Sequence, residues 1–102
     1  MRAALEARLA DLAAAGKTIG YGALARELEV PVATLTAELE ALMAEDAAAG
    51  RPFRAALMEG RLAGGLPARG FFEAAAALGR SFDGTAAVLA ERAALFAAAR
   101  SR

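Results

Sequence analysis

The residues of this chain best suited by type and spacing to chemistry are its arginines. Between residues 51 and 80 stand Arg51, Arg54, Arg61, Arg69 and Arg80 against only Glu59 and Glu73, a local balance of +3. Guanidinium groups at this density suit phosphate, because each delivers a permanent charge through a planar fork of N–H donors. Upstream, Thr34 and Thr36 carry short hydroxyls that suit base edges. Arg69 and the amides near Gly70 would meet a phosphate if a helix starts there, and Arg61 would enter a groove from a loop. Each of these residues also has an ordinary reading. Arginine stems cover apolar surface and pair with nearby glutamates, and threonines decorate solvated helices. Phe71 and Phe72 suit a core better than a platform for stacked bases.

Other chemistries are poorly supplied. The chain has no Cys and no His, which removes thiolate ligands, thiol nucleophiles and the commonest general base. Ser81 and Ser101 therefore have no imidazole to activate them, and the single lysine, Lys17, stands far from both in sequence. Glu38/Glu40 and Glu45/Asp46 are carboxylate pairs one or two residues apart, a spacing that does not bring side chains together on a helix. No phosphate-cradling glycine motif is present, since Gly60, Gly64, Gly65 and Gly70 fit neither the dinucleotide nor the P-loop pattern. The expectation is a protein without enzymatic activity, cofactor or metal.

The elements that must position the arginines follow from composition and period. Of 102 residues, 58% are hydrophobic, but 32 are Ala and 14 are Leu, so the chain favours helix and builds a modest core. One domain is expected at this length. Leu5, Leu9 and Leu12 share a helix face, predicting a helix from about Arg2 to Ala15 that Gly16 ends. Thr18 and Ile19 read as a short extended piece, and Gly20 opens a second helix from Tyr21 to Leu28 whose tyrosine would anchor against a sheet. Pro31 starts a third, carrying Val32, Leu35, Leu39, Leu42 and Met43 as far as Ala49. Phe53 to Met58 reads as a strand pairing with Thr18–Ile19, followed by a Gly- and Pro-rich loop over 59–67. A fourth helix runs from Ala68 or Arg69 to Gly79. The fifth uses Asp83 as N-cap, reaches about Ala99, and turns Val88, Leu89, Arg92, Leu95 and Phe96 to one side.

The order of these elements is that of a winged helix, and the stretch LARELEVPVATLTAEL (residues 24–39) resembles the helix-turn-helix of bacterial winged-helix regulators. It departs from that pattern at Glu29, where such motifs usually carry Gly. The stretch TIGYGALAREL (18–28) is similar to the opening of the DNA-binding domain of alkylguanine-DNA alkyltransferases and their alkyltransferase-like relatives, although the transferases' reactive Pro-Cys-His-Arg run is absent and alkyl transfer with it. GRPFRAAL (50–57) and GLPARGFF (65–72) look like small uncharacterised bacterial proteins that join such a helix-turn-helix to a Gly-Pro-rich wing.

The resemblance implies an α+β, predominantly helical chain: a single winged-helix-like domain over 1–102, with a two- or three-stranded sheet. Residues 18–66 would form the helix-turn-helix, strand and wing, and 68–100 two C-terminal helices. Its implied role is a nucleic-acid-associated or regulatory module, with Thr34 and Thr36 near bases and Arg51, Arg54, Arg61 and Arg69 on phosphates. One pattern opposes DNA: from Glu27 to Asp46 there are six acids and no base, so much of the recognition helix would repel a phosphate backbone. The rival expectation is a protein-interaction module, in which the acidic third helix meets a basic partner or the final Ala-rich helix pairs with its copy in a homodimer. No apolar run approaches the ~20 residues of a membrane span, and a cytoplasmic location without a membrane partner is expected.

Overall fold

A computed structural model describes residues 1–101. Five α-helices form within one or two residues of the expected spans: α1 (Arg2–Ala15), α2 (Tyr21–Leu28), α3 (Val32–Ala48), α4 (Arg69–Ala77) and α5 (Thr85–Arg100). Leu5, Leu9 and Leu12 of α1, Leu24 of α2 and Leu35, Leu39, Leu42 and Met43 of α3 are buried together. The aliphatic periodicity of three helices thus closes on one core. Gly16 ends α1 in the left-handed region at φ 67°, as a residue without Cβ does readily.

In the turn between α2 and α3, Glu29 stands where the backbone favours glycine. This residue closes α2 at φ 57° and ψ 45°, the left-handed conformation for which helix-turn-helix motifs favour Gly. An L side chain there costs about 1–2 kcal/mol. Val30 recovers part of the turn by donating its amide to the Ala25 carbonyl at 3.0 Å.

The sheet is parallel and minimal. β1 (Ile19–Gly20) pairs with β2 (Met58–Glu59), Ile19 facing Met58 and Gly20 facing Glu59. The pairing of Ile19 with the segment ending at Met58 is therefore present, but the six-residue strand expected over Phe53–Met58 is not. Residues Arg54–Leu57 instead form a 3-10 turn. Its cause lies in two carboxylates from distant helices. Phe53 N–H donates to Glu91 Oε2 at 2.7 Å, and Arg54 N–H donates to Asp46 Oδ2 at 3.0 Å. Amides taken by side chains are unavailable to a ladder, and Ala-Ala-Leu carries no β-branched residue to favour one.

From Gly60 to Leu66 the chain makes a closed loop. Gly60 N–H donates to the Leu66 carbonyl at 2.7 Å across its neck, and Ala63 and Leu66 amides donate to Gly60 and Ala63 carbonyls inside it. Gly60 has no room for a side chain: a Cβ would lie 2.8 Å from Ala68 Cα. Leu62, by contrast, is 98% exposed and sits at φ 57°, a left-handed conformation costing about 1–2 kcal/mol in a residue with Cβ.

Beyond the loop, Phe53, Phe71 and Phe82 pack with ring centroids 5.3–6.0 Å apart, so Phe71 serves the core. Phe72 meets Phe71 edge-on at 5.4 Å. The expected cap on α5 is corrected: Asp83 is exposed and its carboxylate accepts no capping amide, because Gly84, at φ 87°, intervenes before Thr85 and occupies the N-cap position itself. On α5, Val88, Arg92 and Leu95 are buried, whereas Leu89 is 53% exposed.

Candidate functional site

A concavity of about 990 Å³ lies where the start of α2, one face of α3, the 60–66 loop and the start of α4 meet. Its walls combine apolar side chains, Val32, Leu39, Met43 and Phe71, with a few polar groups: Thr36, Glu40, Glu59, Arg26 and Arg61. Such a balance is usual for a binding groove. The first residues of α2 (Tyr21, Gly22) and of α4 (Gly70) line it, so two helix N-termini border one space. Neither helix has a side-chain cap. Each therefore presents uncapped amides and the positive end of its dipole.

Tyr21 holds these two termini in register. Its phenol oxygen accepts the Ala68 amide at 3.2 Å, coupling the first residue of α2 to the residue before α4 rather than to the sheet. Burial pushes the phenol above its ordinary value, partly offset by the hydrogen bond from Ala68. Burial favours the neutral form in the fold. Folded-state stability is thus complete below the unfolded phenol's value near pH 10 and declines as pH rises through it toward the folded value. Since Tyr21 is the only tyrosine, absorbance at the phenolate band reads it alone. Its midpoint in the native chain should lie above that in denaturant, and coincident midpoints would contradict the burial.

The structure divides the sequence-predicted site residues. Thr36 and Arg61 both line the groove. Thr34 lies exposed on α3 and is not among its lining residues. Arg69 projects from the first turn of α4 beside it, 90% exposed, with Glu73 3.5 Å away one turn later. At such exposure the pair contributes little.

Arg51 and Arg54 stand elsewhere, committed to a buried acid. Asp46 is fully buried and accepts Arg51 Nε at 3.1 Å and Arg54 Nε at 3.1 Å as well as the Arg54 amide. Arg54 also reaches Glu6 through Nη1 at 2.9 Å. Burial lowers the Arg54 guanidinium's value, but the hydrogen bonds to Asp46 and Glu6 outweigh it and raise the value overall. Arg80, the fifth of the group, donates to the Arg51 carbonyl at 2.7 Å and lies 4.4 Å over the Phe53 ring. A continuous positive face joining Arg51, Arg54, Arg61 and Arg69 is therefore broken by pairing.

The acidic stretch is answered by the same kind of pairing. Glu27 binds Arg8 at 2.8 Å, Glu38 binds Arg2 at 3.1 Å, and Glu45 also accepts from Arg2. The bond to Arg8 holds the Glu27 carboxyl below its ordinary range. Among the described residues, only Glu29 and Glu40 of the six acids lack an ion pair. The repulsion read from composition is largely neutralised by arginines from α1 and the 3-10 turn.

Two groove residues escape a reading by charge blocks. Arg26 stands four residues after Gly22 and folds back over it, its Nη1 3.6 Å from where a Gly22 Cβ would be. That i, i+4 spacing is the signal that points Arg26 to the mouth of α2. Glu40 lies on the groove face of α3, one helical turn from Thr36.

No family model, curated protein or solved structure matches this chain. Among the described residues there is no cluster of three or more possible metal ligands, and no helix is long and apolar enough to cross a membrane.

Proposed function

We propose that this chain is a non-enzymatic, winged-helix-type module that binds nucleic acid through the groove bordered by α2, α3, α4 and the 60–66 loop. The observation that carries this reading is the meeting of Arg26 and Arg61, each without an ion-pair partner among the described residues, with two uncapped helix N-termini at one concavity. Phosphates meet Arg26, Arg61 and the exposed Arg69, while Thr36 stands at the wall beside them. Arg51 and Arg54 leave the interface, since drawing either to a phosphate would take from the buried Asp46 one of the two guanidiniums that compensate it. With formal net charge +0, attraction is local, because charges farther than about 10 Å are screened at ordinary salt.

Titration of a generic 20-base-pair duplex at 50 and 200 mM salt tests this reading. Two to three phosphate contacts weaken binding by about 10- to 40-fold over that range, since each contact releases a counterion. Arg26→Ala and Arg61→Ala should each reduce the slope of log K against log salt by about one. Binding that is insensitive to salt, or unchanged in both variants, overturns the reading.

One observation favours a second reading, a homodimer through α5. Leu89 is half exposed, and Ala86, Ala90, Ala93 and Ala97 are exposed on the same helix, small enough for close approach of a copy. Light scattering coupled to size exclusion decides it: a dimer that Leu89→Glu converts to monomer supports this alternative, and a monomer at all concentrations removes it.

A further inference from the structure

We infer that Leu62 is a wedge that enters the base stack of a duplex while Arg61 beside it holds the backbone. This inference rests on the nucleic-acid reading above and adds a mode of engagement to it. Leu62 is the most exposed large apolar side chain of the described residues, at 98%, and it occupies left-handed backbone at φ 57°. Both features work against folding, and Gly at this position would relieve both.

The loop that presents it is built to be firm. The Gly60–Leu66 hydrogen bond closes its neck at 2.7 Å. From below, Arg92 Nη2 donates to the Gly65 carbonyl at 2.8 Å and to the Met58 carbonyl at 3.1 Å. Gly60 meanwhile lies against the backbone of Ala68 so closely that no Cβ fits. A rigid mount below an apolar tip is what insertion requires, because a slack loop would fold Leu62 back onto the protein surface instead.

Charge selects the occupant. Arg61, adjacent to the tip, is exposed and carries no hydrogen bond or ion pair among the described residues; Arg26 shares its groove with Glu40 and Glu59, so selection rests on the guanidinium beside the tip and not on the net charge of the groove. An apolar tip flanked by free guanidinium suits a polyanion with an apolar interior, which a stacked duplex is. Insertion of Leu-type wedges between base steps, with Arg or Lys on the adjacent backbone, unstacks the step and bends the helix. Steps that unstack easily, such as TA, are favoured.

The test uses the full chain and a 20-base-pair duplex carrying a central TA step with 2-aminopurine as its purine and a fluorophore pair at the ends. The wild-type chain should raise 2-aminopurine emission about twofold and shorten the end-to-end distance, as unstacking and bending require. Leu62→Ala should abolish most of both signals yet weaken binding by only about threefold, whereas Arg61→Ala should weaken binding by about tenfold. Because Leu62 makes no packing contact to lose, the fold of Leu62→Ala and of the strain-relieved Leu62→Gly stays intact, and circular dichroism verifies it. Duplex bound in a salt-dependent manner but neither unstacked nor bent, or bent equally by Leu62→Ala, overturns the wedge alone. A chain that binds no duplex at 50 mM salt overturns the nucleic-acid reading and the wedge with it.

Discussion

Asp46→Ala should destabilise the chain by about 3–5 kcal/mol, the cost of breaking a buried ion pair from one side. Asp46 has no exposed surface, and within about 3 Å it holds the guanidiniums of Arg51 and Arg54 and the Arg54 amide. Its removal leaves the Arg51 guanidinium and the first amide of the 3-10 turn without their acceptor, and leaves Arg54 with Glu6 alone. The damage spreads because that turn leads directly into β2. For a domain of this size the loss lowers Tm by at least about 12 °C. Asp46→Asn keeps the shape and one acceptor but no charge, and should lose less. Urea unfolding followed by circular dichroism measures both. The decisive comparison adds Arg54→Met to Asp46→Ala: if the penalty comes from the uncompensated cation, the double variant recovers part of it. A loss below about 1 kcal/mol in Asp46→Ala would mean that water replaces the carboxylate at little cost.

Arg92→Met is expected to have the second largest effect, about 2–3 kcal/mol. Arg92 is only 7% exposed and faces no carboxylate within ion-pair distance among the described residues. Its charge is met by three carbonyls instead: Nε donates to Ala56 at 2.7 Å, and Nη2 to Met58 and Gly65. Burial lowers the guanidinium's value, with Glu59 and Tyr21 opposing. Two large quantities therefore compete. Each charge-assisted hydrogen bond contributes about 1.5–3 kcal/mol, while desolvating the cation costs several. Methionine removes both and leaves carbonyls short of donors, so the net loss is smaller than three bonds would suggest. A second readout separates this clamp from simple packing: amide exchange at Gly60 should accelerate more than exchange in α1, since Gly65 loses its tether to α5. Equal acceleration in both would indicate global destabilisation only.

What the amino-acid order reveals here is local. The bounds of α1 and α2 and the end of α1 at Gly16 are legible, because Leu spacing, Gly and Pro act within a turn or two of chain, whereas Glu29 is legible only as a departure from Gly and its left-handed backbone is a finding of the structure. Arg92 is legible as an inward residue of α5, from its place between Val88 and Leu95. Phe53–Met58 is not legible. A short apolar run has no period that separates a strand from a 3-10 turn, and the groups that chose the turn, Asp46 and Glu91, lie 8 and 38 residues away.

Charge is where sequence and structure part most clearly. Block counting places a positive cluster at 51–80 and a negative one at 27–46, and each block is real. Folding mixes them: Arg2 crosses 36 residues to Glu38, and Arg54 crosses 48 to Glu6. The composition alone thus determined a helical chain without thiol or imidazole chemistry. Only the tertiary structure decided that, among the described residues, Arg26 and Arg61 stand without an ion pair while Arg51 and Arg54 do not. Coulombic attraction acts over a few ångströms of space and takes no account of distance along the chain.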